Sequence, residues 1–161
     1  MPSDQNHEIA RRDQLFISTD PSLLDLPIIH EFLANRSYWA PAIPAETLRR
    51  ALAGSLCFGL YDRDRQIGLA RVVTDGATFA WLCDVFVLEE YRGKGLAKWL
   101  MESVMRHPSL RGLRRFLLGT RDAHSLYTRY GFRPLADSTR FLEIHNPNIY
   151  HEAKHSDVNA S

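Results

Sequence analysis

The first third of the chain shows a pattern of apolar and polar positions that predicts one strand followed by two helices. Residues 14–19, QLFIST, form a short apolar run of strand length. Asp20 and Pro21 then supply a helix cap and a proline at the first helical position. The apolar positions that follow recur at steps of three and four, as in an amphipathic helix: Leu23, Leu26, Ile29 and Leu33. Two prolines interrupt the pattern, and residues 45–53 predict a second helix that ends at Gly54.

The rest of the chain is patterned mainly as strands. Three strand-like runs are separated by turns, and Asp75-Gly76 is a strong hairpin dipeptide; the runs cover residues 55–61, 66–74 and 77–88. After them the pattern predicts a helix to about residue 106, a strand at 114–119, a helix at 123–130 and strands at 132–135 and 140–144. Hairpins followed by crossover connections predict an α/β (α+β) fold: a single mixed, mostly antiparallel sheet flanked by helices.

Both ends of the chain lack this periodicity. Residues 1–12 and 146–161 are therefore predicted to be flexible tails, and residues 13–145 to form one domain. A length of 161 residues suffices for one sizeable hydrophobic core. The composition, 45% hydrophobic and 24% charged, is typical of a globular protein and excludes a disordered one.

The charges are nearly balanced, with 20 Lys and Arg against 19 Asp and Glu. Such a chain has no strong field to attract nucleic acid or an anionic membrane, so neither is expected as a partner.

The sequence contains no apolar signal segment at its start and no run close to the roughly 20 residues of a membrane span. Cys57 and Cys83 lie in apolar runs and are predicted to be reduced. We therefore expect a cytoplasmic protein without a metal site, since no Cys/His ligand cluster is present in the sequence.

The segment VLEEYRGKGLA, residues 87–97, leads from an apolar strand through a glycine-rich turn into a helix. The first amides of a helix lack internal partners and lie at the positive end of its dipole. Gly93 and Gly95 lack a Cβ, so an anion can approach the backbone closely, and Arg92 and Lys94 add positive charge. The segment is neither a Walker loop nor a Rossmann loop, because Lys98 occupies the place of the third Rossmann glycine. An ordinary strand-to-helix turn is the alternative.

Two segments resemble motifs of the GNAT superfamily of N-acetyltransferases. Arg92, Gly95 and Ala97 match its acetyl-CoA motif, Gln/Arg-x-x-Gly-x-Gly/Ala. Residues 123–132 are similar to its second motif, Ala-x-x-Phe/Leu-Tyr-x-x-x-Gly-Phe, through Ala123, Leu126, Tyr127, Gly131 and Phe132. The element order also resembles the whole GNAT fold over about residues 14–145, which implies a sheet with a splayed edge for acetyl-CoA.

The resemblance implies roles for particular residues. The pyrophosphate of coenzyme A would bind to the loop amides of Gly93, Lys94, Gly95, Leu96, Ala97 and Lys98, with the charge of Arg92 beside it. The pantetheine arm would pair like an added strand with backbone groups around Phe86, Val87 and Leu88. Thr120 stands where many members carry a cofactor-contacting asparagine. Tyr127 would be the general acid that protonates the departing thiolate, although a tyrosine packed on the sheet is the structural alternative.

Two further candidates concern the acceptor. Asp84 interrupts the apolar run WLCDVFV, and an unpaired carboxylate is costly to bury. It is therefore a candidate general base or substrate anchor, with a buried structural partner as the other interpretation. Tyr38 and Trp39, between the first two helices, are candidates for the wall of an acceptor pocket or for a hydrophobic cover over the core.

The sequence thus predicts an acetyl-CoA-dependent N-acetyltransferase that transfers the acetyl group directly to a small-molecule or peptide amine in a ternary complex. A covalent route is disfavoured because Cys83 has no base near it in sequence. The alternative is a non-catalytic module that senses acyl-CoA, which has no need for an acid at the sulfur. The sequence leaves the acceptor and a homodimer open.

Overall fold

The computed structural model describes residues 7–152 and contains one six-stranded sheet with four α-helices and a further helical turn at residues 149–152. The strands lie in the sheet in chain order: β1 Glu8–Arg12, β2 Leu15–Ser18, β3 Leu56–Asp62, β4 Arg65–Thr74, β5 Phe79–Val87 and β6 Arg115–Leu118. The helices are α1 Leu26–Asn35, α2 Ala45–Ala53, α3 Leu96–Arg106 and α4 His124–Thr128. Within the described residues, no helix is long and apolar enough to span a bilayer.

The predicted fold class is confirmed. Neighbouring strands from β1 to β5 are antiparallel, and β5 and β6 are parallel, so the sheet is mixed and mostly antiparallel. Helix α1 packs on one face, where the rings of Phe32 and Phe86 stack at 4.0 Å. Helix α3 contacts β3, β4 and β5. At its end the His107 ring meets Phe58 at 5.4 Å on the other face. The core therefore lies on both faces of the central strands.

The first helix begins later than predicted. Asp20 accepts a hydrogen bond from the amide of Ser22 and caps a short 3-10 turn, Pro21–Leu23. Asp25 then caps α1 by accepting from the amide of Ile28 at 3.1 Å. Leu23 is 44% exposed and so does not contribute to the apolar face of α1. Two successive caps explain why one continuous helix does not form.

The prediction of a tail at residues 1–12 is wrong for residues 8–12, which form β1 and pair with β2. Asp13 turns the chain with φ +52°, and the Arg11 guanidinium lies 4.9 Å from the ring centre of Phe16. Long polar side chains thus cover this edge strand, and that hides it from a search for apolar alternation. Residues 1–6 and 153–161 of the predicted tails lie outside the described part of the chain.

The strands predicted at residues 132–135 and 140–144 are absent from the structure. The segment passes beside β6 through ring contacts: Phe132 with Phe116 at 5.2 Å, and the Arg115 guanidinium with Phe141 at 4.8 Å. Within residues 7–152 it contributes no ladder to the sheet, and residues 138–140 form a 3-10 turn. An apolar strand pattern becomes a strand only when it pairs with a sheet edge, and within residues 7–152 this segment pairs with none.

A bulge in β5 determines the shape of the sheet. Leu69 pairs with Phe86 and Arg71 with Cys83, so two residues, Asp84 and Val85, oppose a single residue of β4. Asp84 adopts φ +52° there. Bulges bend and twist the strand that carries them. The parallel pairing with β6 covers only Phe79 to Leu82 and ends just before the bulge, so β5 and β6 separate beyond it.

Candidate active site

The glycine-rich loop forms the start of α3. Gly93 and Gly95 have φ +78° and +74°, and Gly95 is the residue that precedes the first helical turn. A Cβ added to either glycine would meet no atom of residues 7–152 within 4 Å, so the space before the loop is open. In that same part of the chain, no side chain caps the amides of Leu96, Ala97 and Lys98 at the helix start. The loop therefore presents free N–H groups and a positive helix end to an anion.

Side chains hold the loop to the end of β5. Arg92 donates from Nε to the carbonyl oxygen of Val87 at 3.1 Å. Tyr91 donates from its hydroxyl to Asp62 at 2.9 Å, and the Lys94 ammonium lies 5.4 Å from the Tyr91 ring centre. The loop is thereby fixed at the same end of the sheet at which β5 and β6 separate.

The gap between β5 and β6 exposes one row of backbone groups. The Leu88 amide donates to the Ile67 carbonyl oxygen at 2.8 Å, and its carbonyl accepts from the Tyr91 amide at 2.9 Å. Both backbone groups of Leu88 are thus engaged. Because successive residues of a strand direct their backbone groups to opposite sides, Phe86 faces β4 and Val85 and Val87 face the gap. Of the predicted backbone contacts, Val87 has the required direction, whereas Phe86 contributes its buried ring.

A cavity of about 460 Å³ lies in this gap and brings together most of the remaining predicted residues. Both separating strands and the segment between α1 and α2 line it. Among the lining residues are Tyr38, Trp39, Asp84, Thr120 and Tyr127. One cavity therefore contains residues that were predicted separately as acid, base, cofactor contact and acceptor wall. Some of them lie more than 80 positions apart in the sequence.

Tyr127 lies on α4 and lines the wall of the cavity. Burial, together with smaller effects of the nearby Tyr38 and Asp122, raises the pKa of its hydroxyl to about 12. Its ring meets Phe132 edge-on at 6.2 Å. A phenol with this pKa remains protonated throughout the physiological range, so it can donate a hydrogen bond or a proton in the cavity.

Asp84 is almost fully buried and has two partners. One carboxylate oxygen accepts from Nε of Arg71 at 2.6 Å, and the other accepts from the indole N–H of Trp39 at 2.8 Å. Arg71 also donates to the hydroxyl of Ser55 at 3.0 Å. The sheet therefore supplies the buried partner that the sequence left open, and Asp84 in turn fixes the orientation of Trp39.

Tyr38 connects the α1–α2 segment to the far side of the gap. Its hydroxyl accepts from the Arg121 amide at 3.0 Å, and the Arg121 guanidinium lies 3.9 Å from its ring centre. Tyr38 also meets Trp39 edge-on at 5.0 Å. Thr120, the neighbour of Arg121, accepts from the Ala123 amide at 3.1 Å and so stabilises the start of α4. These contacts span the gap from Asp84 on β5 to the segment after β6.

Cys83 also lines the cavity, and its chemistry matters for the mechanism. Burial raises the pKa of its thiol to about 12, against the opposing effect of Arg71. The thiolate is the nucleophilic form of cysteine, so this side chain is a poor nucleophile at neutral pH. Cys57 is buried, and burial raises its pKa in the same way.

Three residues of the site were not predicted from the sequence: Arg71, Trp81 and Arg121. Arg71 could have been predicted from the sequence. It is the one charged residue between Ile67 and Thr74, and Asp84 is the one carboxylate in the next apolar strand. Two isolated opposite charges in adjacent apolar strands indicate a buried pair. Trp81 and Arg121 carry no comparable pattern in the sequence.

Sequence comparison gives the family. The profile of the acetyltransferase (GNAT) domain matches residues 53–134. A candidate acetyltransferase of Gibberella zeae is 35% identical in an alignment 138 residues long that covers 72% of this chain and 77% of that protein. The mixed sheet and the glycine-rich loop before α3 agree with these matches. The chain belongs to the GNAT family of acetyltransferases.

Solved structures agree with this assignment. A candidate GNAT-family acetyltransferase from Xanthomonas campestris pv. campestris has 51% identity and a TM-score of 0.83, covering 84% of this chain and 96% of that one. A GNAT acetyltransferase from Elizabethkingia anophelis, solved with acetyl-CoA bound, has a TM-score of 0.56 and covers 76% of this chain and 78% of that one. Its identity is 18%, so the likeness shows a common fold.

Proposed function

We propose that this protein transfers the acetyl group of acetyl-CoA to an amine by direct attack within a ternary complex. The observation that carries the proposal is the cavity at the separation of β5 and β6, which has the anion-binding loop at the end of β5 and the protonated Tyr127 on its wall. A binding loop alone would serve a sensor equally well. A proton donor in the same gap is what a transferase needs.

The chain's own residues fit the parts of coenzyme A. The helix start at Leu96, Ala97 and Lys98, with the open space before Gly93 and Gly95, suits a pyrophosphate. The backbone groups of Val85 and the N–H of Val87 in the gap suit the amides of a pantetheine arm, which would add like a strand, while the Val87 carbonyl oxygen already accepts from Arg92. Thr120 lines the cavity close to where such an arm would end. The bound molecule supplies the activated acetyl group as a thioester.

In the proposed step, the amine nitrogen forms a bond to the acetyl carbon, and the carbon–sulfur bond breaks. Tyr127 donates its proton to the departing sulfur, since its raised pKa keeps the hydroxyl protonated. The amine loses its proton to the solvent or to a base. Cys83 lines the cavity as a thiol with a raised pKa, which supports direct transfer over an acetylated cysteine.

Asp84 serves in this proposal as a positioning residue. Its two oxygens accept hydrogen bonds from Arg71 and Trp39, so both oxygens already have protein partners. It holds Trp39 in the cavity wall, and Tyr38 and Trp39 together give the acceptor an aromatic surface. A base role for Asp84 is the competing proposal, and the two differ in their dependence on pH.

Two measurements test the proposal together. Calorimetry in the presence of a chelator should show acetyl-CoA binding, because the loop binds anions through backbone N–H groups rather than through a metal. A panel of amines, including small amines, amino acids and peptide N-termini, should then reveal an acceptor through the release of free thiol from acetyl-CoA. Folded protein that does not bind acetyl-CoA would exclude the proposal. Tight binding with no turnover on any amine would favour the acyl-CoA sensor.

A further inference from the structure

The apolar side chains exposed at the surface concentrate around β6 and the segment after it. Leu142 is 97% exposed and Ile144 is fully exposed, which is unusual for large aliphatic residues in a folded chain. Around them lie others that are roughly 40% exposed, on β5 and on the same segment: Phe79, Trp81, Leu135 and Phe141. A contiguous exposed apolar surface of this kind marks an interaction site.

The sheet is also unfinished at this corner. Strand β6 pairs with β5 on one side, and its other side faces no strand within residues 7–152. Unpaired N–H and C=O groups on a sheet edge are a template for one more strand. Beside this edge lies a groove of about 500 Å³ with a largely apolar lining, to which Phe116, Leu118, Phe132 and Leu135 contribute. The chain's own Phe141, Leu142 and Glu143 also line it, so an exchange would replace them with the same residues of a second copy. The edge thus offers backbone partners, and the groove offers space for apolar side chains.

The same chain carries a segment with the properties of the missing strand. Residues 140–145, RFLEIH, alternate in strand fashion, with Leu142 and Ile144 on one side and Phe141 and Glu143 on the other. In the structure they form no ladder with any residue between 7 and 152. An unused strand and an unused edge are therefore present in one molecule.

We propose that residues 140–145 of a second copy of this chain pair with the open edge of β6, and that the exchange is reciprocal. In this dimer Leu142 and Ile144 of one copy enter the groove of the other. A two-fold arrangement uses both β6 edges and both segments at once, so the assembly closes as a dimer and leaves no open β6 edge to recruit further copies. The exposed apolar surface and the unpaired edge are covered by the same contact.

The proposed dimer contact adjoins the active site. Leu118, Thr120 and Tyr127 line both the groove and the cavity. A strand of the second copy would thus pack behind the wall that carries the proposed acid. The dimer should accordingly hold α4 and Tyr127 in place, and its loss should lower turnover more than acetyl-CoA affinity.

The test begins with the mass of the full chain in solution. Analytical ultracentrifugation should give twice the 18.5 kDa of one chain. The double variant Leu142→Glu, Ile144→Glu should sediment as a single chain, because two carboxylates cannot enter an apolar groove. The matched control is Ile149→Glu, at a position that is 50% exposed and outside the proposed strand, and it should remain dimeric. A monomeric wild-type protein, or a dimer that survives the double substitution, would overturn the proposal.

A cross-link separates exchange between chains from pairing within one chain. A photoreactive phenylalanine derivative at position 142, in a mixture of light and heavy isotope-labelled protein, should link mainly to peptides containing residues 115–118 of the other isotope. Links confined to one isotope would mean that the segment completes its own sheet, and links to other surfaces would mean a different interface. Either result contradicts strand exchange, and neither depends on enzymatic activity.

Discussion

Tyr127 is the residue at which the catalytic proposal can be tested most directly. Tyr127→Phe keeps the ring against Phe132 and removes only the hydroxyl, so acetyl-CoA affinity should change little while turnover falls about 100-fold. That factor corresponds to about 3 kcal/mol in the barrier. Because burial raises the pKa of Tyr127 to about 12, wild-type turnover should show no decline from loss of this proton below about pH 10.

The matched control is Tyr130→Phe. Tyr130 donates its hydroxyl to the carbonyl of Lys98 at 3.0 Å and lies outside the lining of the cavity, so the same chemical change there should leave turnover within about threefold of wild type. Turnover and acetyl-CoA affinity are measured for both variants. Full activity of Tyr127→Phe would assign Tyr127 to packing alone.

Asp84 distinguishes positioning from base catalysis. Asp84→Asn keeps the size of the side chain and tolerates φ +52°, but it weakens the contacts with Arg71 and Trp39. We expect turnover to fall roughly tenfold, about 1.4 kcal/mol, by the same factor at every pH. A base would give a different result: the deficit would be largest at low pH and would shrink as free amine becomes abundant. The ratio of wild-type to variant rates between pH 6 and pH 10 is the measurement.

At the scale of elements, the start of α3 is the part that should govern cofactor affinity. Gly95→Ala places a Cβ in the open space before the helix and strains a backbone at φ +74°. Gly112→Ala is the matched control, since Gly112 has φ +71°, equally open space and no place in the loop. Both variants should lose about 1 to 2 kcal/mol of stability. Only Gly95→Ala should weaken acetyl-CoA binding, by about tenfold or more, as measured by calorimetry. Equal affinities of the two variants would contradict the proposed loop.

The buried ion pair between β4 and β5 should matter for stability. The side chains of Arg71 and Asp84 are 17% and 8% exposed, so Arg71→Met leaves a carboxylate buried without its cation and should cost about 3 kcal/mol. Arg65→Met is the control, because the side chains of the Arg65–Glu90 pair are about half exposed and water screens their attraction, so its loss should lower the stability much less. Denaturant unfolding measures both.

A double variant checks the cause of that loss. In Arg71→Met, Asp84→Asn no charge remains buried, so most of the stability should return even though the ion pair is gone. If the double variant were no more stable than Arg71→Met, packing of the arginine stem rather than the buried charge would be responsible.

At the scale of the whole molecule, elements could be predicted from the sequence where a pattern of a few neighbouring residues determines the local structure. Residues 45–53 form a helix with the predicted bounds, and the glycine-rich turn precedes α3, because periodicity and glycine chemistry act over a few neighbouring residues. The β1 strand was missed because exposed edge strands lack apolar alternation. The strand predicted at 140–144 depends on a partner edge, which the pattern of one segment cannot specify.

The same distinction holds for the site. Asp84 stood out in the sequence as a lone carboxylate in an apolar run. Its contact with Arg71 depends on the register of β4 and β5, and its contact with Trp39 depends on the conformation of the segment between α1 and α2. The proximity of Tyr38 to Arg121 joins positions 83 residues apart and follows from the completed fold. Sequence motifs thus indicated which elements build the cavity, whereas the contacts that hold its walls required the structure.

The extra residue at the β5 bulge determines which kinds of sequence change this strand can accept. Because of that residue, Trp81 and Cys83 before the bulge lie on the same face of the sheet as Phe86 after it, although strict alternation would separate them. Deleting one residue between Trp81 and Phe86 would move the side chains of one half of the strand to the opposite face of the sheet. Evolution of β5 is therefore confined to replacing residues at constant length, while the turn at residues 75–78 can absorb insertions and deletions.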